Sequence, residues 1–113
     1  MGTSWESTGI STRFINELQS YCANNDQIEK VVLFGSRARG DFQSSSDIDL
    51  AFFTINSSHS QQNLIAQFID ELPTPLKIDV AFMDRLSKEK MIFNIQKEGV
   101  VIYEQGKALR EAW

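Results

Sequence analysis

Between Ser11 and Asn25 apolar residues return every three or four positions, placing Phe14, Ile15, Leu18, Tyr21 and Cys22 on one side of a helix. Ser11 stands where an N-cap belongs, and Asn24-Asn25-Asp26 closes the segment. The period then changes. Residues 28–35, IEKVVLFG, are a β-branched apolar run ended by glycine, which predicts a buried strand. The polar stretch 36–46 follows, with a single helical turn expected at 36–39 and Gly40 as a breaker. Residues 47–54, DIDLAFFT, predict a second strand, acidic where it begins and apolar beyond.

The alternation continues. Residues 57–73 put Leu64, Ile65, Phe68, Ile69 and Leu72 on one helix face, stopped by Pro73. In 76–83, LKIDVAFM, the residues Ile78, Val80 and Phe82 share one side of a third strand and leave Asp79 on the other. Ser87 is the expected cap of a helix running through Lys97, with Met91, Ile92 and Ile95 inward and Gly99 at its end. Residues 100–104, VVIYE, predict a short fourth strand, and 105–113 a short C-terminal tail. Residues 1–10 are rich in Gly, Ser and Thr and are expected to be a flexible N-terminus. The order implies one α/β (α+β) domain over 11–104, with helices packed on a mixed four-stranded sheet.

Composition narrows the chemistry. A chain of 113 residues with 42% hydrophobic content supports one packed core. No apolar run approaches the length needed to cross a bilayer, and the start lacks a basic-then-apolar leader pattern. A formal charge of −4 argues against general nucleic-acid binding. One Cys and one His exclude a His/Cys zinc cluster, so a bound metal would rest on carboxylates, as magnesium or manganese does. The single Cys22 also suits a reducing, cytoplasmic setting.

Three local features carry candidate chemistry. Gly35-Ser36 ends the first strand; glycine lets a backbone approach a phosphate closely, and the next turn directs N–H groups and a hydroxyl outward. Asp47 and Asp49 lie two apart in a strand, so their carboxylates project to one side. Such like charges repel unless a cation compensates them. Asp79 joins them if the third strand lies beside the second. Three such acids suit a two-metal displacement at phosphorus, with ions roughly 3.5–4 Å apart. Asp47 and Asp49 are then metal ligands, and Asp79 is both ligand and general base for an attacking hydroxyl. Arg37 and Arg39 offer guanidinium forks to a triphosphate, but a helical turn would send them in different directions. His59 reads as a surface residue, and Trp5 and Trp113 as packing or interface residues.

The segment GSRARGDFQSSSDIDL (35–50) resembles the signature of the DNA polymerase β-like nucleotidyltransferases: Gly-Ser, ten residues, then Asp-x-Asp. Within that superfamily the chain resembles the minimal nucleotidyltransferase (MNT-domain) proteins over about 28–104. The resemblance implies a nucleotidyltransferase-type fold and a donor such as ATP held through Gly35 and Ser36. It also implies Mg2+ or Mn2+ on Asp47, Asp49 and Asp79, and transfer of a nucleoside monophosphate, AMP above all, to a hydroxyl. It further implies a helical HEPN-domain partner in a toxin–antitoxin pair, hence a possible hetero-oligomer. Larger members carry a helical acceptor-binding region after the catalytic domain; here about nine residues follow Glu104.

Other readings fit less well. A phosphatase of the haloacid dehalogenase type needs its Asp-x-Asp at the carboxyl end of a strand, whereas Leu50-Ala51-Phe52-Phe53 follow the acids here. No Gly-Lys-Ser/Thr follows the glycine turn, as a P-loop requires, and no EF-hand ligand series is present. A neutralising subunit with a vestigial nucleotide site, whose role is to cover a partner, is the alternative from another class; nucleotide sensing with little turnover is a third reading, and an antibiotic-modifying transferase the alternative acceptor.

Overall fold

The computed structural model of the protein describes residues 4–106. A 3-10 turn, Ser4–Thr8, leads into helix α1, Thr12–Ala23, whose Ser11 cap accepts a hydrogen bond from the Phe14 N–H. Strand β1, Ile28–Phe34, is followed by the one-turn helix α2, Ser36–Arg39, and strand β2, Ile48–Thr54. Helix α3, His59–Asp70, opens with a capping box between Ser58 and Gln61. Strand β3, Ile78–Phe82, a 3-10 turn at Met83–Arg85, helix α4, Glu89–Glu98, and strand β4, Val100–Glu104, complete the domain. The strands form one mixed sheet in the order β3-β2-β1-β4: β1 runs antiparallel to both β2 and β4, and β2 parallel to β3.

Strand parity divides the core. Val31 and Leu33 of β1 and Ile48, Leu50 and Phe52 of β2 join Phe14, Ile15, Leu18, Ile65 and Ile69 of α1 and α3 in the larger apolar cluster. Ile78, Val80 and Phe82 of β3 pack on the same side. The intervening residues face the other way, where Val32 and Ala51 meet Ile95 of α4, flanked by Phe34, Phe53 and Met91. That second face carries Asp49 and Asp79, because side chains two apart share a side.

Several expectations are corrected. Residues 4–10 belong to the folded domain: Trp5 is 4% exposed and Ile10 5%, both in the core. A lone tryptophan brings a large apolar area without any period to betray it. Of the apolar face expected on α3, Ile65, Ile69 and, just past the helix end, Leu72 are buried; Leu64 and Phe68 stay exposed, Phe68 stacking on Tyr21 with ring centroids 4.0 Å apart. Helix α4 starts two residues after Ser87, with Lys88 at its cap position and no capping side chain. Gly99 ends α4 in an extended rather than left-handed conformation; its N–H bonds the Ile95 carbonyl, and a side chain there would overlap that carbonyl and Val32. Trp113 and most of the tail lie outside the described residues.

Candidate active site

The site is built where β1 hands over to α2. Gly35 holds φ 79°, ψ −158°, a conformation open only to glycine, and it caps α2. Across the β1–β2 ladder Phe34 pairs with Asp49, so the glycine turn comes to rest against the Asp49 carboxylate. Parallel pairing then sets Asp79 directly beside Asp49, in register. The condition on which Asp79 could join the site, a third strand beside the second, is therefore met.

Crowding has an electrostatic cost. Burial first, then the charges of Asp79 and Asp47 and a hydrogen bond to Asp79, push the Asp49 carboxyl up to about 6, with Arg39 pulling the other way. Asp79 also faces the exposed Lys77, whose Nζ lies 3.6 Å from Oδ1. The three acids converge only in part. Asp47 precedes β2 and acts on Asp49 through its charge, and among the described residues no three acid, His or Cys side chains form a ready-made metal cage. The donor set nevertheless fits a hard divalent cation: carboxylates that repel one another, beside a glycine whose missing side chain leaves the approach open.

Two cavities adjoin this point and share Phe34 and Met91 as a common wall. One, about 480 Å³, is lined by Asp49, Asp79, Val80, Ala81, Phe82, Arg85 and Leu86. The other, about 360 Å³, is lined by Gly35, Arg39, Lys88, Lys90 and Asn94. Three cations thus gather beside the glycine turn. Arg39 is also bonded to Asp41 at 3.2 Å and Glu98 at 3.4 Å, and both bonds favour its charged form.

The two arginines part company, as a helical turn requires. Arg39 faces the cation-lined cavity. Arg37, the other candidate phosphate ligand, is 2% exposed and directs its N–H groups to the carbonyls of Thr8, Gln43, Ser44 and Ser46. No surface of it is left for a phosphate. Sequence reading passed over Lys88, Lys90 and Arg85. One signal for the lysines existed: cations at a helix N-terminus oppose the macrodipole and favour an anion nearby. His59 is exposed as expected, with Nε2 2.6 Å from Nη1 of Arg85.

A mixed sheet that sets paired acids against a Gly-Ser turn and a cationic recess defines the class of nucleotidyl-transfer domains. The chain belongs to the Polymerase beta, Nucleotidyltransferase family, whose sequence model matches residues 16–108. Its fold resembles that in the crystal structure of a toxin–antitoxin with AMP-PNP, with TM-score 0.65 and 18% identity over 86% of this chain and 76% of that one. It also resembles a candidate nucleotidyltransferase of Sulfolobus solfataricus, with TM-score 0.59 and 20% identity over 97% and 96% of the two chains. A variant of the toxin–antitoxin MntA-HpeT gives TM-score 0.64 and 15% identity over 86% and 76%. No curated protein matches the chain significantly. Among the described residues no helix is long and apolar enough to cross a membrane.

Proposed function

We propose that this protein is a cytoplasmic, MNT-type transferase that moves AMP from ATP to a hydroxyl of a helical HEPN-domain partner, as the antitoxin of a two-protein system. The observation that carries the reading is the in-register Asp49–Asp79 pair facing Gly35 beside the Arg39–Lys88–Lys90 cavity. The cations hold the triphosphate and offset its charge. Gly35 lets the α-phosphate come close to the acids, and the Ser36 hydroxyl bonds it. Asp47, Asp49 and Asp79 are the residues that would hold magnesium or manganese. A bound divalent ion supplies charge neutralisation at phosphorus and acidifies the attacking hydroxyl. Asp79 takes that hydroxyl's proton as general base. The new O–P bond forms on the acceptor while the bond to pyrophosphate breaks. The structural likenesses to toxin–antitoxin proteins, one of them with AMP-PNP, support the partner and the donor.

The test is to incubate the chain with magnesium and labelled ATP, with and without the product of the neighbouring gene, and to weigh every intact species. A gain of one AMP by the partner is the expected result. Efficient modification of a free small molecule, with no contact to the partner, would return the antibiotic-modifying reading. The partial convergence of Asp47 favours a second reading, a neutralising subunit that binds nucleotide without turnover. Nucleotide binding and partner binding without any mass gain would select it.

A further inference from the structure

Arg37 heads the largest fully enclosed side chains among the described residues, and its hydrogen-bond partners there are all main-chain carbonyls. Burying a cation without a counter-ion is costly, and each of its donors must be satisfied for the position to be tolerable. A residue needed only to continue α2 would point into solvent, as Arg39 does. What Arg37 grips is therefore informative. Nε donates to the Ser46 carbonyl at 3.1 Å, and Nη2 to Ser44 at 3.2 Å and Gln43 at 3.4 Å. Its guanidinium carbon sits 4.7 Å from the centre of the Phe42 ring. All four residues lie in the loop that delivers Asp47. The remaining bond, Nη1 to the Thr8 carbonyl at 2.9 Å, ties in the N-terminal turn, where Gly9 has no room for a side chain against Arg37 and Phe42.

The Ser46 carbonyl belongs to the same peptide group as the Asp47 nitrogen, so the bond from Nε orients that peptide plane. The turn beneath it is closed twice: the Ser46 hydroxyl accepts from the Gln43 N–H at 2.8 Å, and the Ser46 N–H donates to the Gln43 carbonyl at 3.0 Å. On the far side, the Ile48 N–H donates to the Lys77 carbonyl at 2.9 Å. Asp47 is thus suspended between an arginine clamp and the β2–β3 ladder. We infer that Arg37 is a positioning residue. It fixes the main chain of Asp47, so that only side-chain torsions of this acid change when a divalent cation is taken up with Asp49. The inference rests on Asp47 being a metal ligand, as proposed above. It also makes the N-terminal turn a support of the site.

Titration with Mn2+, followed by its magnetic resonance signal, tests the clamp without turnover, and amide exchange at Asp47 in the metal-free protein gives a second readout. Groups that orient metal ligands typically contribute about tenfold or more in affinity, so Arg37→Lys should weaken Mn2+ binding about tenfold. Ser46→Ala, which removes one of the two bonds closing the turn, should weaken it severalfold and carries the test if Arg37→Lys does not fold. Both should speed exchange at Asp47, and excess Mn2+ should restore activity. Phe42→Leu keeps all the hydrogen bonds and loses the ring stack; it should lower Tm yet leave Mn2+ affinity unchanged. An equal loss of affinity in Phe42→Leu would overturn the clamp, because general loosening would then explain everything. Unaltered affinity in folded Arg37→Lys and in Ser46→Ala, with Asp47→Asn impaired, would overturn the clamp alone. Unaltered affinity in Asp47→Asn would remove the metal role of Asp47, and the clamp's purpose with it.

Discussion

Gly35 and Asp49 approach so closely that a side chain on the glycine would overlap the Asp49 carboxylate oxygen. Gly35→Ala would be strained by its backbone conformation, at about 1–3 kcal/mol, and would displace a carboxylate as well. Transfer should fall at least a hundredfold while Tm drops by several degrees. A Gly35→Ala protein with unaltered turnover would show that the glycine serves only the chain reversal.

Asp49→Asn should abolish transfer yet stabilise the metal-free fold at neutral pH. Asp49 has its folded pKa raised to about 6, chiefly by burial, so its protonated form is the one the fold prefers. That contribution is complete below the ordinary value of 3.8 and is lost as pH rises through 6. Allowing for solvent screening at this half-exposed site, the gain from asparagine above pH 6 is about 1 kcal/mol, and it should vanish near pH 4. Thermal unfolding at the two pH values decides the matter.

Cation uptake at the acids should release protons below pH 6, because Asp49 must ionise to bind. Affinity should climb with pH up to about 6 and level off above 7. Calorimetry in two buffers of different ionisation heat measures the proton count. A flat affinity between pH 5 and 7 would take Asp49 out of the ligand set.

Lys88 and Lys90 line the recess beside Gly35, and among the described residues neither forms an ion pair with an acid. Replacing both by alanine should raise the Kd for magnesium–ATP about tenfold, a loss near 1.4 kcal/mol, and should leave Tm unchanged. The unaltered protein's affinity should weaken with added salt more steeply than the variant's. Equal Kd values would move the triphosphate elsewhere.

What was legible in the sequence obeyed local rules. Strand parity set Asp49 opposite Ile48 and Leu50, and Asp79 opposite Ile78 and Val80; the parallel pairing that brings the two acids together was a condition that the sequence posed and did not answer. The helical turn at Ser36–Arg39 was marked by the flanking glycines. Residues that depend on tertiary packing were not legible. Lys88 and Lys90 reach Gly35 only because α4 crosses that sheet face, some fifty positions along the chain. Arg37 looked like a candidate phosphate ligand, since nothing local announces that Thr8 and residues 43–46 will close over it. Trp5 was legible as a packing residue, but nothing local in its polar stretch announced that the turn around it joins the folded domain.

The central position of β1 has a consequence for synthesis. One of its edges is covered by β2 soon after it is made, but the other waits for β4, whose Val100 and Val101 pair with Leu33 and Val32. The buried Gln19 side chain likewise finds its acceptor only at the Ile102 carbonyl, 83 positions downstream. A nascent chain that has not yet delivered Val100 from the ribosome keeps a hydrophobic strand with an open edge, a template for mispairing. Closure of the sheet is therefore a late, non-local event. Pauses in translation before that codon should favour chaperone capture over spontaneous folding.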